Sequence, residues 1–360
     1  MTVNISKPEF NIREKLKELD HKLGQAGKAV LEAETPQEQF NLIGAGRKNI
    51  LINGNFRISQ RSTNGFTSSS TIADGNYYFD RWENRITGVS VDLIATSGAY
   101  DYPNHISAKL TATSSANGKM RFLQRTEGWF KNQELTLSAW VRSNHPDARV
   151  FCYYPGAQVR ASSKPHSGKG GWEKLTVTYI DDANVDNAGH YDVAIAGDGF
   201  TDVYIPSGSY IEVAEVQLEL GPVATPFEYR SLGEELALCQ RYYTMLAGGA
   251  DWPELYSGGS SHTFGTIHKW NTANTFIFTE LPVMMRTSSY NIVKSSGSAD
   301  FSFKSAGYTS TGNDIALDGD SSTRMVRLNS AVTNSNWPLG GAGWIRCNTT
   351  SAFIALDAEF

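Results

Sequence analysis

The stretch Tyr210–Tyr243, YIEVAEVQLELGPVATPFEYRSLGEELALCQRYY, decides how this chain is read. Its first third alternates apolar and polar residues, as a strand with one buried face does. Pro222 and Pro226 follow, and proline cannot donate to a β ladder, so strand pairing closes there. Ser231 and Glu234 then stand at capping-box spacing. Leu232, Leu236, Cys239, Tyr243 and Leu246 recur at steps of 4, 3, 4 and 3. This spacing predicts a helix over 231–247, stopped by Gly248 and Gly249. The seam is too narrow for a large core and fits a helix packed about an oligomer axis.

Upstream, runs such as NILINGNFRISQR (Asn49–Arg61), ELTLSAWVRS (Glu134–Ser143) and WEKLTVTYI (Trp172–Ile180) alternate and are separated by Gly, Asn, Asp and Pro. They predict a jelly-roll-type β-sandwich over 48–230. Downstream, HTFGTIHKW, NTFIFTE, RMVRLNS and FIALDAEF predict a smaller β-domain over 248–360. Residues 1–47 read differently. Asn11 and Glu14 form one capping box, and Ile12, Leu16, Leu19 and Leu23 follow on one stripe before Gly24. Thr35, Pro36 and Glu38 begin a second short helix. A seam this narrow calls for copies of itself or a docking groove, or lies on its own domain's surface. The expected fold class is therefore mainly β. Short N-terminal helices precede the sandwich, and a short helix at an oligomer axis leads to a C-terminal β-domain.

Composition narrows the functions. Charged residues are 19% of 360, and the net charge of −5 argues against nucleic acid as a partner. Apolar runs are far short of the roughly 20 residues of a spanning helix, so no membrane insertion is expected. Cys152, Cys239 and Cys347 are odd in number and far apart, which fits folding in a reducing cytoplasm. The seven histidines show no metal-ligand spacing, and neither a nucleophile elbow nor a phosphate-binding loop occurs. No catalytic set, cofactor or metal is expected. Asp80, Glu83, Asp181, Asp182 and Asp186 are carboxylates that glycoside hydrolysis would need to pair across a cleft, and solvated turn residues are the alternative. Asp318, Asp320 and Ser322 in LDGDSST have the start of a calcium-loop pattern but also that of an ordinary Asp-Gly turn.

Aromatic residues are the richer signal, at 11% of the chain. Flat rings stack on the apolar C–H faces of sugars while polar neighbours bind hydroxyls. Trp252, Tyr256, Trp270, Trp337 and Trp344 lie near turns rich in Gly, Ser and Asn and are the ligand-contact candidates. Core and subunit-interface packing are the competing uses of such rings.

The runs RKNILINGNFRISQR, FDRWENR, LTLSAWVRS, VAEVQLELGPVATPFEYRSLGEELALCQRYY and LPVMMRTSSYNIV occur in that order. Together they resemble tail-fibre and receptor-binding structural proteins of tailed phages, cyanophages among them. The resemblance covers most of 1–293 and is most specific over Val213–Tyr243. It implies a carbohydrate-binding-module-like sandwich and a homotrimer in the virion tail, made in the host cytoplasm. It further implies docking to adaptor or nozzle-type tail proteins through 1–47, and binding of host surface polysaccharide or lipopolysaccharide. A purely structural virion part (connector, collar or head decoration) and a polysaccharide-degrading tailspike are the alternatives.

Overall fold

The computed structural model describes residues 48–61, 69–97, 106–127, 130, 132–154, 158–181, 189–248, 263–271, 274–298, 300–305, 308–312, 314–331, 339–349 and 351–359. The expected N-terminal helices, with Ile12, Leu16, Leu19 and Leu23, lie outside the described residues.

The first unit is built from β1 (Ser70–Ile72), β2 (Asn76–Phe79), β3 (Trp82–Thr87), β4 (Val91–Ser97), β5 (Ile106–Ala112), β6 (Ala116–Arg125) and β7 (Glu134–Ser143). It continues through β8 (Ala148–Tyr154), β9 (Gln158–Ser162), β10 (Trp172–Ile180), β11 (His190–Ile195), β12 (Val203–Ile205) and β13 (Tyr210–Leu220). One sheet runs β1-β4-β5-β13-β7-β10, the other β2-β3-β6-β11-β8-β9, with β12 also on β6. Leu93, Leu110, Leu137, Val141 and Val213 of the first sheet share one core with Met120, Phe122, Val150 and Val193 of the second. The unit is a β-sandwich, and alternation explains it: in β7, Leu135, Leu137, Ala139 and Val141 all point inward and are fully buried.

Two stretches depart from the sequence reading. Asn49–Arg61 is not a strand. It is an irregular buried plug in which Leu51, Phe56 and Ile58 are at most 1% exposed. The Phe56 ring lies 5.1–5.4 Å from the rings of Phe79, Trp82 and Phe122. Side chains replace the missing ladder. Asn53 Nδ2 donates to the carbonyls of Ile58 (2.8 Å) and Asp80 (2.9 Å), and Asn53 Oδ1 accepts from Ile58 N–H. Gln124 exchanges both of its amide bonds with the Ile52 backbone. Asn53 and Phe56 hold positive φ, and a Cβ on Gly54 would collide with the Val216 carbonyl. Buried backbone must find partners, and here polar side chains supply them.

The proline segment 221–230 is no mere linker. It folds back over the outer face of the first sheet. Thr136 Oγ1 donates to Gly221 O (2.6 Å), Lys174 Nζ to Thr225 O (3.2 Å) and Lys48 Nζ to Pro226 O (2.8 Å). That cover explains why Thr136 and Ser138, on the outward parity of β7, are also buried.

The helix that follows, α1 (Leu232–Gln240), begins as expected: the Ser231 hydroxyl accepts from Glu234 N–H. It ends at Gln240 rather than running to residue 247, and Tyr243–Gly248 is a strand, β14. The apolar spacing of Tyr243 and Leu246 belongs to a strand paired with the chain's C-terminal end, β23 (Phe353–Asp357). Propensity over a few residues yields to such pairing. The expected seam is split accordingly. Cys239 and Tyr243 are buried inside the chain, and Leu246 packs on the C-terminal core. Leu232 is 39% exposed, and Leu236 and Leu246 are half-buried, so Leu232 and Leu236 are the seam residues of the helix itself that reach the surface.

The second unit adds β15 (Thr263–Lys269), β16 (Thr275–Glu280), β17 (Asn291–Lys294), β18 (Phe301–Ser305), β19 (Tyr308–Gly312), β20 (Ala316–Leu317), β21 (Met325–Ser330) and β22 (Ala342–Cys347). A small sheet, β14-β23-β17, packs on a larger one, β19-β18-β22-β15-β16-β21-β20. Their shared core includes Ile354 and Leu356 on one side and Ile267, Ile277, Phe303, Leu328 and Ile345 on the other.

The two units meet through buried charge. Arg81, 1% exposed, pairs with Glu359, donates to Arg125 O (2.6 Å) and stacks 3.5 Å from the Tyr242 ring centroid. Arg61 bridges Asp80 (3.4 Å) and Asp357 (3.3 Å) over the Tyr243 ring. Gln60 Nε2 ties Asp80 to the Tyr243 carbonyl at 2.6 and 2.7 Å. Removing one partner of a buried ion pair strands the other charge, which costs about 3–5 kcal/mol. Glu359→Ala is therefore expected to lower stability by that amount in urea unfolding, and Glu359→Gln, which keeps a hydrogen-bond acceptor, by less.

Candidate functional site

The larger C-terminal sheet has one face on the core and one face that none of the described elements covers. Register shows what the bare face carries. Lys304 of β18 stands beside Trp344 of β22, which pairs with Thr266 of β15, then Phe278 of β16, then Arg327 of β21. The next row on the same face runs Ala342, His268, Phe276, Asn329. Alternate residues, Phe303, Ile345, Ile267, Ile277, Val326 and Leu328, face the core, so period two fixes the other set outward. Trp270, Trp344 and Phe278 are 66%, 45% and 37% exposed. Exposure of large rings on one sheet face is the unusual observation, since such rings normally fill cores.

Trp270 sits just past β15 and is held by a tight turn. Its N–H reaches the Asn274 carbonyl at 3.2 Å, and Asn274 N–H donates to Asn271 Oδ1 at 2.7 Å. Its ring centroid lies 6.2 Å from Phe276, and Phe276 lies 6.5 Å from Phe278. The Arg327 guanidinium stacks 4.7 Å from the Phe276 centroid. It is anchored by Asp318, with Nε donating at 2.8 Å, and by Asp320. Thr266, His268, Trp270, Phe276, Phe278, Arg327 and Ala342 line a groove of about 700 Å³.

The candidates named from sequence are sorted by this geometry. Trp270 and Trp344 come onto one face; Trp252, Tyr256 and Trp337 lie outside the described residues. Phe276, Phe278, Thr266, His268 and Arg327 were not anticipated. The signal for the two phenylalanines was present in TFIFTE, where Phe and Ile alternate, but only register shows which parity is bare. The Asp318–Ser322 loop is a turn closed on Arg327, and among the described residues no cluster of metal-ligating side chains occurs.

The outer face of the second sandwich sheet carries ion pairs beside its rings. Asp192 pairs with Arg121 (2.8 Å) and Glu83 with Arg125 (2.7 Å). The turn at Asp198–Phe200 lays Phe200 against Phe151 (5.1 Å) and under Arg121. Asp80 is engaged by Gln60 and Arg61, and Asp181 accepts from Phe130 N–H. Asp182 and Asp186 lie outside the described residues. A cavity of about 200 Å³ at the joint is lined by Arg81, Arg125, Arg230 and Arg241. Each already has a carboxylate partner: Glu359, Glu83, Glu235 and Glu127 respectively. The three thiols are buried, and burial pushes Cys347 up to about 12.

No family model and no curated protein matches this chain. Several solved structures show partial likeness. A carbohydrate-binding module described as CBM4 covers 47% of this chain and 98% of its own length, at 13% identity and a TM-score of 0.30. The enzymatically active domain of tailspike protein 4 of bacteriophage CBA120 covers 44% of this chain and 22% of its own, at 12% identity and 0.32. The module TmCBM61, in complex with β-1,4-galactotriose, covers 48% and 99%, at 10% identity and 0.29.

Two neighbouring groups on the charged sandwich face make opposing pH predictions. Burial, partly offset by Arg121, raises Asp192 from 3.8 to about 6. Its folded form holds the proton more tightly, so its contribution to stability falls as pH rises through 4–6. Burial, with Arg125, Arg121 and Arg85, lowers His190 from 6.5 to about 4. Its contribution is lost as pH falls through that same window. The two effects oppose one another. Asp192→Asn is expected to expose the histidine's effect: urea midpoints of the variant should fall more steeply than the native chain's between pH 6.5 and 4.

Proposed function

We propose that this chain is a non-enzymatic, glycan-binding structural protein of a phage tail, and that the bare aromatic face of the C-terminal sheet is its ligand-contact surface. The observation that carries the reading is that face: exposed Trp270, Phe278 and Trp344, interleaved with Thr266 and His268 and edged by Arg327. Rings offer stacking area, and the polar neighbours offer hydroxyl partners. The virion setting is supported by the ordered resemblance of 1–293 to tail-fibre proteins. In that setting 1–47 docks to adaptor or nozzle-type tail proteins, and the chain assembles as a homotrimer in the tail. Leu232 and Leu236 are the described helix residues available to a neighbouring copy. Three weak sites on one fibre then act together on a host polysaccharide or lipopolysaccharide.

Binding of the purified full-length chain to host-cell surface polysaccharide tests this. Each stacked ring contributes about 0.5–1.5 kcal/mol beyond its buried area, so Trp270→Ala and Trp344→Ala are each expected to weaken binding about threefold to tenfold with the unfolding midpoint unchanged. Light scattering should report three copies at micromolar concentration, and Leu236→Asp should lower that mass. Unaltered binding by both tryptophan variants removes the aromatic face from the reading; a native monomer removes the trimer.

A further inference from the structure

We infer that the aromatic face binds a single extended, neutral glycan chain whose linkages are equatorial, so that alternate rings turn over and rings two apart present the same side. This rests on the glycan-binding reading above and adds the class of chain.

Spacing carries the argument first. Trp344 and Phe278 stand in one cross-strand row with only Thr266 between them. Neighbouring strands are about 4.8 Å apart, so the two residues stand about 9.6 Å apart along the row. That is the interval at which an extended, equatorially linked chain repeats its ring face, once every second sugar. The intermediate sugar, turned over, lies above Thr266, whose short exposed side chain leaves room and offers a hydroxyl. From Trp344 to Arg327 the row covers three strand intervals, about 14 Å and so about three sugar rings. A helical, axially linked chain curls away from a straight row and cannot meet both rings.

Ring tilt excludes packed polysaccharide. Phe276 and Phe278 are inclined at 62°, and Trp270 and Phe276 at 49°. Rings at such angles line a trough for one chain and do not form a flat table for a crystalline surface. Charge at the Arg327 end of the row disfavours acidic glycans, while Lys304 stands at the other end beside Trp344. The guanidinium of Arg327, at the edge of the groove, is already neutralised by Asp318 and Asp320. Two carboxylates therefore accompany one cation there, and a uronic acid gains no cationic partner from it.

Calorimetric titration of the full chain with linear hexasaccharides tests the inference. The β-1,4-linked probes are those of glucose, N-acetylglucosamine and mannose. Maltohexaose stands for the helical class, hexagalacturonate for the acidic class and microcrystalline cellulose for the packed class. A β-1,4-linked neutral probe should bind, with affinity rising from the disaccharide to about the trisaccharide or tetrasaccharide and then levelling. Trp344→Ala and Phe278→Leu should each weaken it about threefold to tenfold. Phe278→Leu keeps an apolar side chain, so that loss of folding does not mimic loss of a ring. Binding confined to maltohexaose, hexagalacturonate or the crystalline form overturns the inference and leaves glycan binding standing. Failure of the whole panel also overturns it; if host polysaccharide then binds with both variants unaffected, the reading beneath it falls too. A change of oligomeric mass in Trp344→Ala would mean that a second copy covers this face, and would overturn it as well.

Discussion

The ion pair between Arg81 and Glu359 is the contact on which the arrangement of this chain depends. Arg81 sits at the turn between β2 and β3, and Glu359 stands next to the last residue of the chain. A guanidinium this deeply buried is tolerated only when paired and hydrogen-bonded. Glu359, the Arg125 carbonyl and the Tyr242 ring together meet that demand. The consequence reaches far along the chain. Glu359, fixed on the sandwich, holds the end of β23, which lies between β14 and β17. Arg286 adds to the hold through the Ala358 carbonyl, and Ala358 N–H reaches the Tyr242 carbonyl at 2.6 Å. The end of the sequence thus becomes the central strand of the small sheet, and that sheet covers one face of the larger one.

Covering one face is what leaves the other bare. Ile354 and Leu356 use up the apolar parity of the large sheet, and the opposite parity carries Trp344, Phe278 and Phe276 outward. In the sandwich the same logic gives a different result. The outer side of its first sheet is closed by the proline segment 221–230, and that of its second holds Arg–carboxylate pairs and Phe200. A ring-lined surface and a surface of ion pairs beside rings therefore sit on separate units of one chain.

Legibility followed the range of the interactions. Strands β7, β10 and β13 announce themselves by alternation, because each buries one parity in a single core. The Ser231 cap is equally local, since its bond spans three residues. The plug at 50–60 misled for a physical reason: its apolar residues are buried, but its backbone is satisfied by Asn53 and Gln124 rather than by a neighbouring strand. Tyr243 and Leu246 misled because a step of three or four residues fits a helix while the partner strand lies more than a hundred residues away. Of the aromatic face, Trp270 and Trp344 were recognisable by their setting among glycines and asparagines. Phe276 and Phe278 were not, as either parity of TFIFTE is apolar enough for a core.

By itself the sequence determined the class of fold, the position of the helix start and the β-rich character of both units, because alternation, capping and proline act over a few residues. The tertiary structure decided which rings share a face, where the helix stops and what the last strand pairs with. Those outcomes depend on register between distant strands and on one buried charge pair, and no local pattern encodes either.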